Sequence, residues 1–343
     1  MTKPEKKVTF RDIARECGVS PTTVSLALRN HPRISKETTE RVKAAVERLH
    51  YTCNPMVSAL MSSMGRSSSP SDPAPLAAIY THSEKTFSAL SYPKTLWDGI
   101  SRRAEELGFP IERFFLDHQK IDSKRITEIL VSRGITGLII PPAFRGGSHL
   151  SINWNLFSAI AIGYSMLRPN LHRVCHDQYQ GIRIALKRLY SRGYRRPGLV
   201  FYQTQDLRSL YSRSSGFYGH EHRRNKKQIV PVLECSDPDS FLRWYEKHKP
   251  DAIVGTGYDV IEQAGLKCPE DVGFVSLGYD ENRPEVAGID EQVELLGAAA
   301  VDHLVQLLYY NKRGVPEVPS TILIPPKWRD GASLPNLRAS AKA

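Results

Sequence analysis

From Leu76 onward, short apolar runs alternate with stretches of helical periodicity, and this order restricts the chain's possible folds more than any other feature. The strand-like runs are Leu76–Tyr80, Gly137–Ile140, Ala159–Ile162, Gly198–Phe201, Ala252–Val254 and Gly273–Leu277. Helical stretches separate them, among them Leu96–Leu107, Ile126–Ser132, Gln180–Arg192 and Glu294–Tyr309. Strands alternating with helices imply parallel β-α-β architecture. Ligands bind such sheets beyond the carboxyl ends of the strands. There is no internal sequence repeat.

Ahead of this region, residues 8–50 read as three short helices. The first runs from Phe10 to Cys17, with Thr9 and Asp12 as a capping pair, and Gly18 breaks it. Ser20-Pro21 opens the second, a hydroxyl cap followed by proline at the one position that needs no amide donor. That helix reaches Leu28 and Asn30-His31-Pro32 ends it. Ser35 caps the third, whose Val42, Ala45, Val46 and Leu49 share a face. A shorter helical segment spans Asn54–Met64, and the Ser/Pro-rich Gly65–Pro73 reads as a linker.

Charge is concentrated in the same place. Of a formal +11, residues 1–66 carry 12 Lys/Arg against 6 Asp/Glu, which points to an anionic partner at the N-terminal end. The five cysteines (Cys17, Cys53, Cys175, Cys235, Cys268) are scattered and form no C-x-x-C pair, so each reads as a free, buried thiol in a reducing compartment. No run approaches the roughly 18 apolar residues of a membrane helix. The start, MTKPEKKVTFRD, is polar, so export is not expected and a cytoplasmic location is.

The segment Val8–Leu28 resembles the DNA-binding headpiece of the lactose-repressor family. The matching pieces are T-x-x-D-I-A at Thr9–Ala14, Gly18-Val19-Ser20 and Thr23-Val24-Ser25, continued by Ile34-Ser35, Val42 and Leu49-His50-Tyr51. The resemblance implies a helix-turn-helix whose second helix enters the major groove. Pro21, Thr22 and Leu26 match the family's base-reading positions; Thr23, Ser25, Arg29 and the amides near Thr9 match phosphate contacts, and Ser20 belongs to the same DNA-binding set. Leu26 can offer only apolar contact, for example to a thymine methyl. Tyr51–Leu60 resembles the family's hinge, with Cys53 and Val57 in place of the usual proline and alanine. Asn54 and Leu60 then belong to the DNA-contacting set, Leu60 as a wedge in the minor groove. The alternative for Leu60 is packing on the following domain.

The resemblance extends along most of the chain, through Gly134–Ile140, Val174–Asp177, Leu189–Arg196, Pro269–Val272 and Gly278–Asp280. It implies an all-α helix-turn-helix headpiece plus an α/β periplasmic-binding-protein-like sensor domain of two parallel-sheet lobes, crossed near Gly163, Ala287 and Ile322. The expected boundaries are 1–52 for the headpiece, 53–73 for hinge and linker, 74–330 for the sensor, and 331–343 for a flexible tail. Arg213 and Asp280 match effector-binding positions, and Asp177, Tyr164 and Thr256 complete the candidate set. For Arg213 a surface ion pair is the competing reading; for Tyr164, packing. The segment after Val254 is shorter than in relatives, and the usual ligand asparagine has no counterpart there.

The implied partners are double-stranded operator DNA, a small-molecule effector of carbohydrate type and a second copy of the chain, with no cofactor, metal or membrane. An enzyme is not expected: the chain has no G-x-S-x-G, Walker loop or H-E-x-x-H. His220-Glu221-His222 reads as part of a solvated basic loop. An exported sugar-binding protein, a sugar sensor without gene regulation, and a purely architectural DNA protein are the other readings. The headpiece argues against the first two and the large ligand-type domain against the third.

Overall fold

The turn at Gly18 needs a left-handed backbone (φ +63°), which glycine adopts without steric cost. Helix α1 (Phe10–Cys17) closes there, with the Val19 amide donating to the Ala14 carbonyl at 3.0 Å. Ser20 then caps α2 (Pro21–Leu28), its Oγ accepting from the Thr23 amide at 3.0 Å. Ser35 caps α3 (Lys36–Arg48) in the same way, accepting from the Thr38 amide at 3.2 Å. Ile13, Ala14, Cys17, Val24, Ala27, Val42 and Ala45 are buried together, with Val19, Ile34, Val46 and Leu49 around them. Three alanines in so small a core let the helices approach closely. The Leu28 side chain lies outside the described residues.

The computed structural model describes residues 10–28, 34–49, 74–116, 123–143, 148–202, 205–224, 229–235 and 237–340. The chain divides into two units, Met1–Pro70 and Ser71–Ala343. Thr9, Arg29, Asn54 and Leu60, and with them the whole expected hinge, lie outside the described residues.

The second unit consists of two lobes. In the first, β1 (Leu76–Tyr80), β2 (Ile111–Phe115), β3 (Gly137–Ile140), β5 (Ser158–Ile162), β7 (His172–His176) and β13 (Thr321–Ile324) form a parallel sheet in the order β13-β7-β5-β3-β1-β2. A short parallel pair, β4 (Ser148–His149) with β6 (Met166–Arg168), lies apart from that sheet. In the second, β8 (Pro197–Tyr202), β9 (Leu233–Cys235), β10 (Ala252–Gly255), β11 (Gly273–Ser276), β12 (Gly288–Asp290) and β14 (Lys327–Arg329) are ordered β14-β12-β11-β10-β8-β9. All pairs here are parallel except β12 with β14. Helices α4 (Glu84–Ala89), α5 (Ser91–Glu106), α6 (Ser123–Ser132) and α12 (Val293–Tyr309) belong to the first lobe. Helices α7 (Gln178–Ser191), α8 (Gln205–Arg208), α9 (Ser212–Arg224), α10 (Pro238–His248), α11 (Tyr258–Gln263) and α13 (Leu337–Ser340) belong to the second.

Both sheets bury both faces. Along β10, Ala252 and Val254 enter one core cluster and Ile253 the other; along β3, Leu138 and Ile140 oppose Ile139 in the same way. Side chains alternate at period two, so strands covered on both sides are mostly apolar, β7 with its buried Arg173 and His176 being an exception.

The chain crosses between lobes at Asp177, at Glu291–Gln292 and at Pro325–Pro326. The second and third crossings fall within a few residues of expectation, and the first does not. At Gly163 (φ +73°) the chain turns and returns through β6 to β7 in the same lobe, with the Gly163 amide donating to the Val174 carbonyl. The tail beyond residue 330 also differs from expectation. Ser333 and Leu334 are buried; Ser333 Oγ donates to the Phe274 carbonyl at 2.8 Å and accepts from the Ala287 amide at 2.9 Å. His220-Glu221-His222 lies on α9 rather than in a loop, and the buried Glu221 accepts a 2.5 Å hydrogen bond from Tyr190 Oη. Among the described residues, no helix is long and apolar enough to cross a membrane, and no group of three or more His, Cys, Asp or Glu could hold a metal ion.

Candidate functional sites

Helix α2 presents two different sides. Successive residues step by about 100° around a helix, so Val24 and Ala27 fall on one side, Thr22 and Leu26 on the other, and Pro21 at the edge between them in the first turn. Val24 and Ala27 are fully buried, whereas Pro21 and Thr22 are exposed and Leu26 half-buried. The outward side is short and uncharged, suited to close approach with one hydroxyl and apolar surface. Ser20 Oγ is committed as the cap and lies 2.9 Å from Thr23 Oγ1, so these two hydroxyls form one unit at the helix start. The Ser25 side chain lies outside the described residues. Exposed Arg15, Lys36, Arg41 and Lys43 on α1 and α3 supply positive charge to the same unit.

A cavity of about 320 Å³ opens between the lobes of the second unit. It lies at the carboxyl ends of strands: Pro142 follows β3, Gly163–Ser165 follow β5, Cys175 and His176 end β7, and Thr256 and Gly278 follow β10 and β11. The first lobe adds the start of α5 (Ser91–Pro93). The second adds Gln178, Gln205, Arg208, Ser209 and Arg213.

At its floor, Glu291 gathers the polar groups. Arg213 donates to Glu291 Oε1 at 2.9 Å through Nη2 and to Gln178 Oε1 at 2.5 Å through Nε. Gln178 Nε2 also donates to Glu291 Oε1, at 3.0 Å. His176 Nδ1 lies 2.9 Å from the Glu291 carbonyl, and its Nε2 lies 3.0 Å from Tyr92 Oη. Glu291 and Arg213 side chains are 13% and 10% exposed, so this is a nearly dry ion pair. Burial alone would push the Glu291 carboxyl up; His176, Arg213 and the hydrogen bonds from Gln178 and Arg213 outweigh it and hold the carboxyl below its usual range. Burial, with Glu291 nearby, pushes the Tyr92 hydroxyl up. The cluster joins the first crossing (His176, Gln178), the second (Glu291) and α9 (Arg213), so a change in lobe closure must act on it.

The structure brings together three of the five expected effector residues. Arg213, Tyr164 and Thr256 line the cavity. Arg213 is an ion pair, as its competing reading held, but a buried one facing the cavity. Tyr164 is pushed up to about 12 by burial, and the Arg173 guanidinium lies 5.5 Å from its ring centroid. The other two are elsewhere in the unit. Asp177 caps α7, accepting from the Gln180 amide at 2.9 Å. Asp280 is exposed and closes a turn, accepting from Asn282 N at 3.0 Å and Nδ2 at 2.9 Å. Both carboxylates are consumed by local backbone geometry. Sequence reasoning missed Glu291, Gln178, His176, Tyr92 and Arg208. The second crossing, expected within a few residues of Glu291, pointed toward it, whereas Gln178 and His176 needed the first crossing in its observed place.

Residues 9–54 match the model for "Bacterial regulatory proteins, lacI family", and residues 186–334 match "Periplasmic binding protein-like domain". The chain is a lacI-family regulatory protein. It is 24% identical to the NTD biosynthesis operon regulator NtdR of Bacillus subtilis, covering 92% of this chain and 98% of that protein. It is also 24% identical to the lactose operon repressor of Escherichia coli, covering 88% and 85%. The solved lac repressor dimer bound to operator and the anti-inducer ONPF has the same fold, with TM-score 0.57 at 20% identity over 96% of this chain and all of that one. The CelR–cellobiose complex gives TM-score 0.56 at 18% identity over 95% of this chain and all of that one. As a lacI-family member the chain is a DNA-binding transcription regulator with an effector-binding domain, and its relatives are regulators rather than enzymes.

Proposed function

We propose that this lacI-family chain is a repressor that binds a pseudo-palindromic operator as a homodimer and changes its grip when a small molecule enters the interlobe cavity. The observation that carries the reading is the placement of that cavity. It sits on two of the three crossings, and its floor residues Gln178, Arg213 and Glu291 come from separate elements. Occupancy that favours one lobe closure over another shifts the population of the DNA-competent state.

In this reading Pro21, Thr22 and Leu26 read base edges, and Thr23, Ser25, Arg29 and the amides near Thr9 hold phosphates, with Ser20 in the same DNA-binding set. Asn54 and Leu60 act in the minor groove between half-sites. Arg213, Tyr164 and Thr256 meet the effector. The boundaries 1–52, 53–73 and 74–330 remain the working division, with 331–340 joined to the sensor. Operator selection with the full chain, then anisotropy with and without ligand, tests the reading. Arg213→Ala is expected to remove the ligand response and keep operator binding, since Arg213 belongs to the sensor unit and not to the DNA-contacting set. An operator affinity that no cavity ligand alters would overturn effector control.

A further inference from the structure

The cavity lining contains two guanidiniums and one carboxylate. Among the described residues Glu291 is the only acidic one in the lining, and Arg213 already takes it. Arg208, one turn of chain earlier at the end of α8, faces the same space. Among the described residues it makes no hydrogen bond or ion pair, and its Nε is buried without a partner. Burial pushes the Arg208 pKa down; nearby Tyr92 and Glu291 offset this only in part, and the Arg213 charge adds to it, the direction expected of a cation short of compensation. A charge taken partly out of water without a partner is costly, and proteins retain such groups mainly where a ligand supplies the partner.

Two neighbours narrow the chemistry. Gln205 Oε1, on the same short helix, is buried without a hydrogen-bond donor and would accept one from a ligand hydroxyl. The start of α5 faces the cavity with no side-chain cap and no acidic residue in its first turn, which adds to the positive potential. Ser91 offers a further hydroxyl, and Ser165, whose Oγ accepts from the Ala143 amide, keeps its proton to donate. At about 320 Å³ the space is at the small end of ligand pockets, suiting a molecule of monosaccharide size. We propose that the effector is a small hydroxylated anion, a sugar acid or a sugar phosphate, whose carboxylate or phosphate is bound by Arg208. The proposal rests on the cavity being the effector site, and it goes further by assigning a charge class and a receptor for the charge.

The test uses the full chain, wild type and with Arg208→Gln or Arg208→Lys. Calorimetry and thermal shift are run with hexoses beside their sugar acids and 6-phosphates, and with inorganic phosphate against chloride at equal ionic strength. At least one anion should bind wild type about tenfold more tightly than its neutral parent, the difference expected of a charge-assisted contact. Arg208→Gln should remove that preference, bringing each anion to the affinity of its neutral parent, and Arg208→Lys should keep part of it. The acid and phosphate arms tell the two anion types apart. Ligand-free Arg208→Gln should melt no lower than wild type, because it deletes an uncompensated charge. No preference for any anion over its neutral parent, or a preference that survives in Arg208→Gln, would overturn the proposal. So would a lower melting point of ligand-free Arg208→Gln. Failure of the functional reading is separable: anion binding that depends on Arg208 but leaves operator affinity untouched sinks effector control and keeps the anion site. An operator response to a neutral sugar, indifferent to Arg208, does the reverse.

Discussion

Replacing Glu291 by glutamine tests whether the cavity floor is held by charge. The wild-type carboxylate is 13% exposed and accepts from Arg213 at 2.9 Å and Gln178 at 3.0 Å, so glutamine leaves Arg213 buried without its counter-charge. Breaking one side of a buried pair costs about 3–5 kcal/mol, and the adjoining cavity admits water, which places the expected loss near 3 kcal/mol. For a unit of this size that lowers the melting temperature by roughly 6 °C. Because the folded carboxyl titrates below its unfolded value, its contribution is fully present above the unfolded pKa of about 4.3. It is lost as pH falls through the lower, folded pKa. Urea unfolding from pH 7 down to acid should therefore show wild type and Glu291→Gln converging as the carboxyl protonates. Adding Arg213→Met to Glu291→Gln should recover much of the loss, since no lone charge then remains buried. A loss below about 1 kcal/mol at pH 7, or costs that simply add in the double variant, would refute the buried-pair reasoning.

Four other outcomes are expected. Ser20→Ala removes the cap of α2 and should cost about 1 kcal/mol, read as faster amide exchange across α2 in the full chain. Gly297→Ala should destabilise the second unit by about 1–3 kcal/mol in urea unfolding, because a Cβ there would lie 2.6 Å from the Leu96 carbonyl where α12 crosses α5. Operator affinity should fall with salt at a log–log slope near −0.9 per phosphate contacted, and Leu60→Ala should weaken operator binding without flattening that slope; an unchanged affinity would remove the wedge from the account.

The sequence alone determined those parts of the molecule that local physics controls. The break at Gly18, the caps at Ser20 and Ser35 and the apolar spacing of α1–α3 are short-range requirements, each legible in a few residues. The buried strands β1, β3, β5, β8, β10 and β11 could be read because a strand covered on both faces is mostly apolar. Strands β2 (Ile-Glu-Arg-Phe-Phe) and β7 (His-Arg-Val-Cys-His) carry polar residues among their apolar ones, so their strand character came only from pairing with neighbours. Missing β7 displaced the first crossing, and with it the residues around the hinge.

Tertiary structure alone decided which polar side chains share the cavity. His176 with Gln178, Arg208 with Arg213, and Glu291 come from three separate stretches of the chain, and only the fold brings them to one place. Asp177 and Asp280 fitted a sequence pattern, but their carboxylates satisfy nearby amides instead. A carboxylate's role is set by which donors its backbone position puts within hydrogen-bond reach, and spacing along the chain does not encode that for residues on different elements.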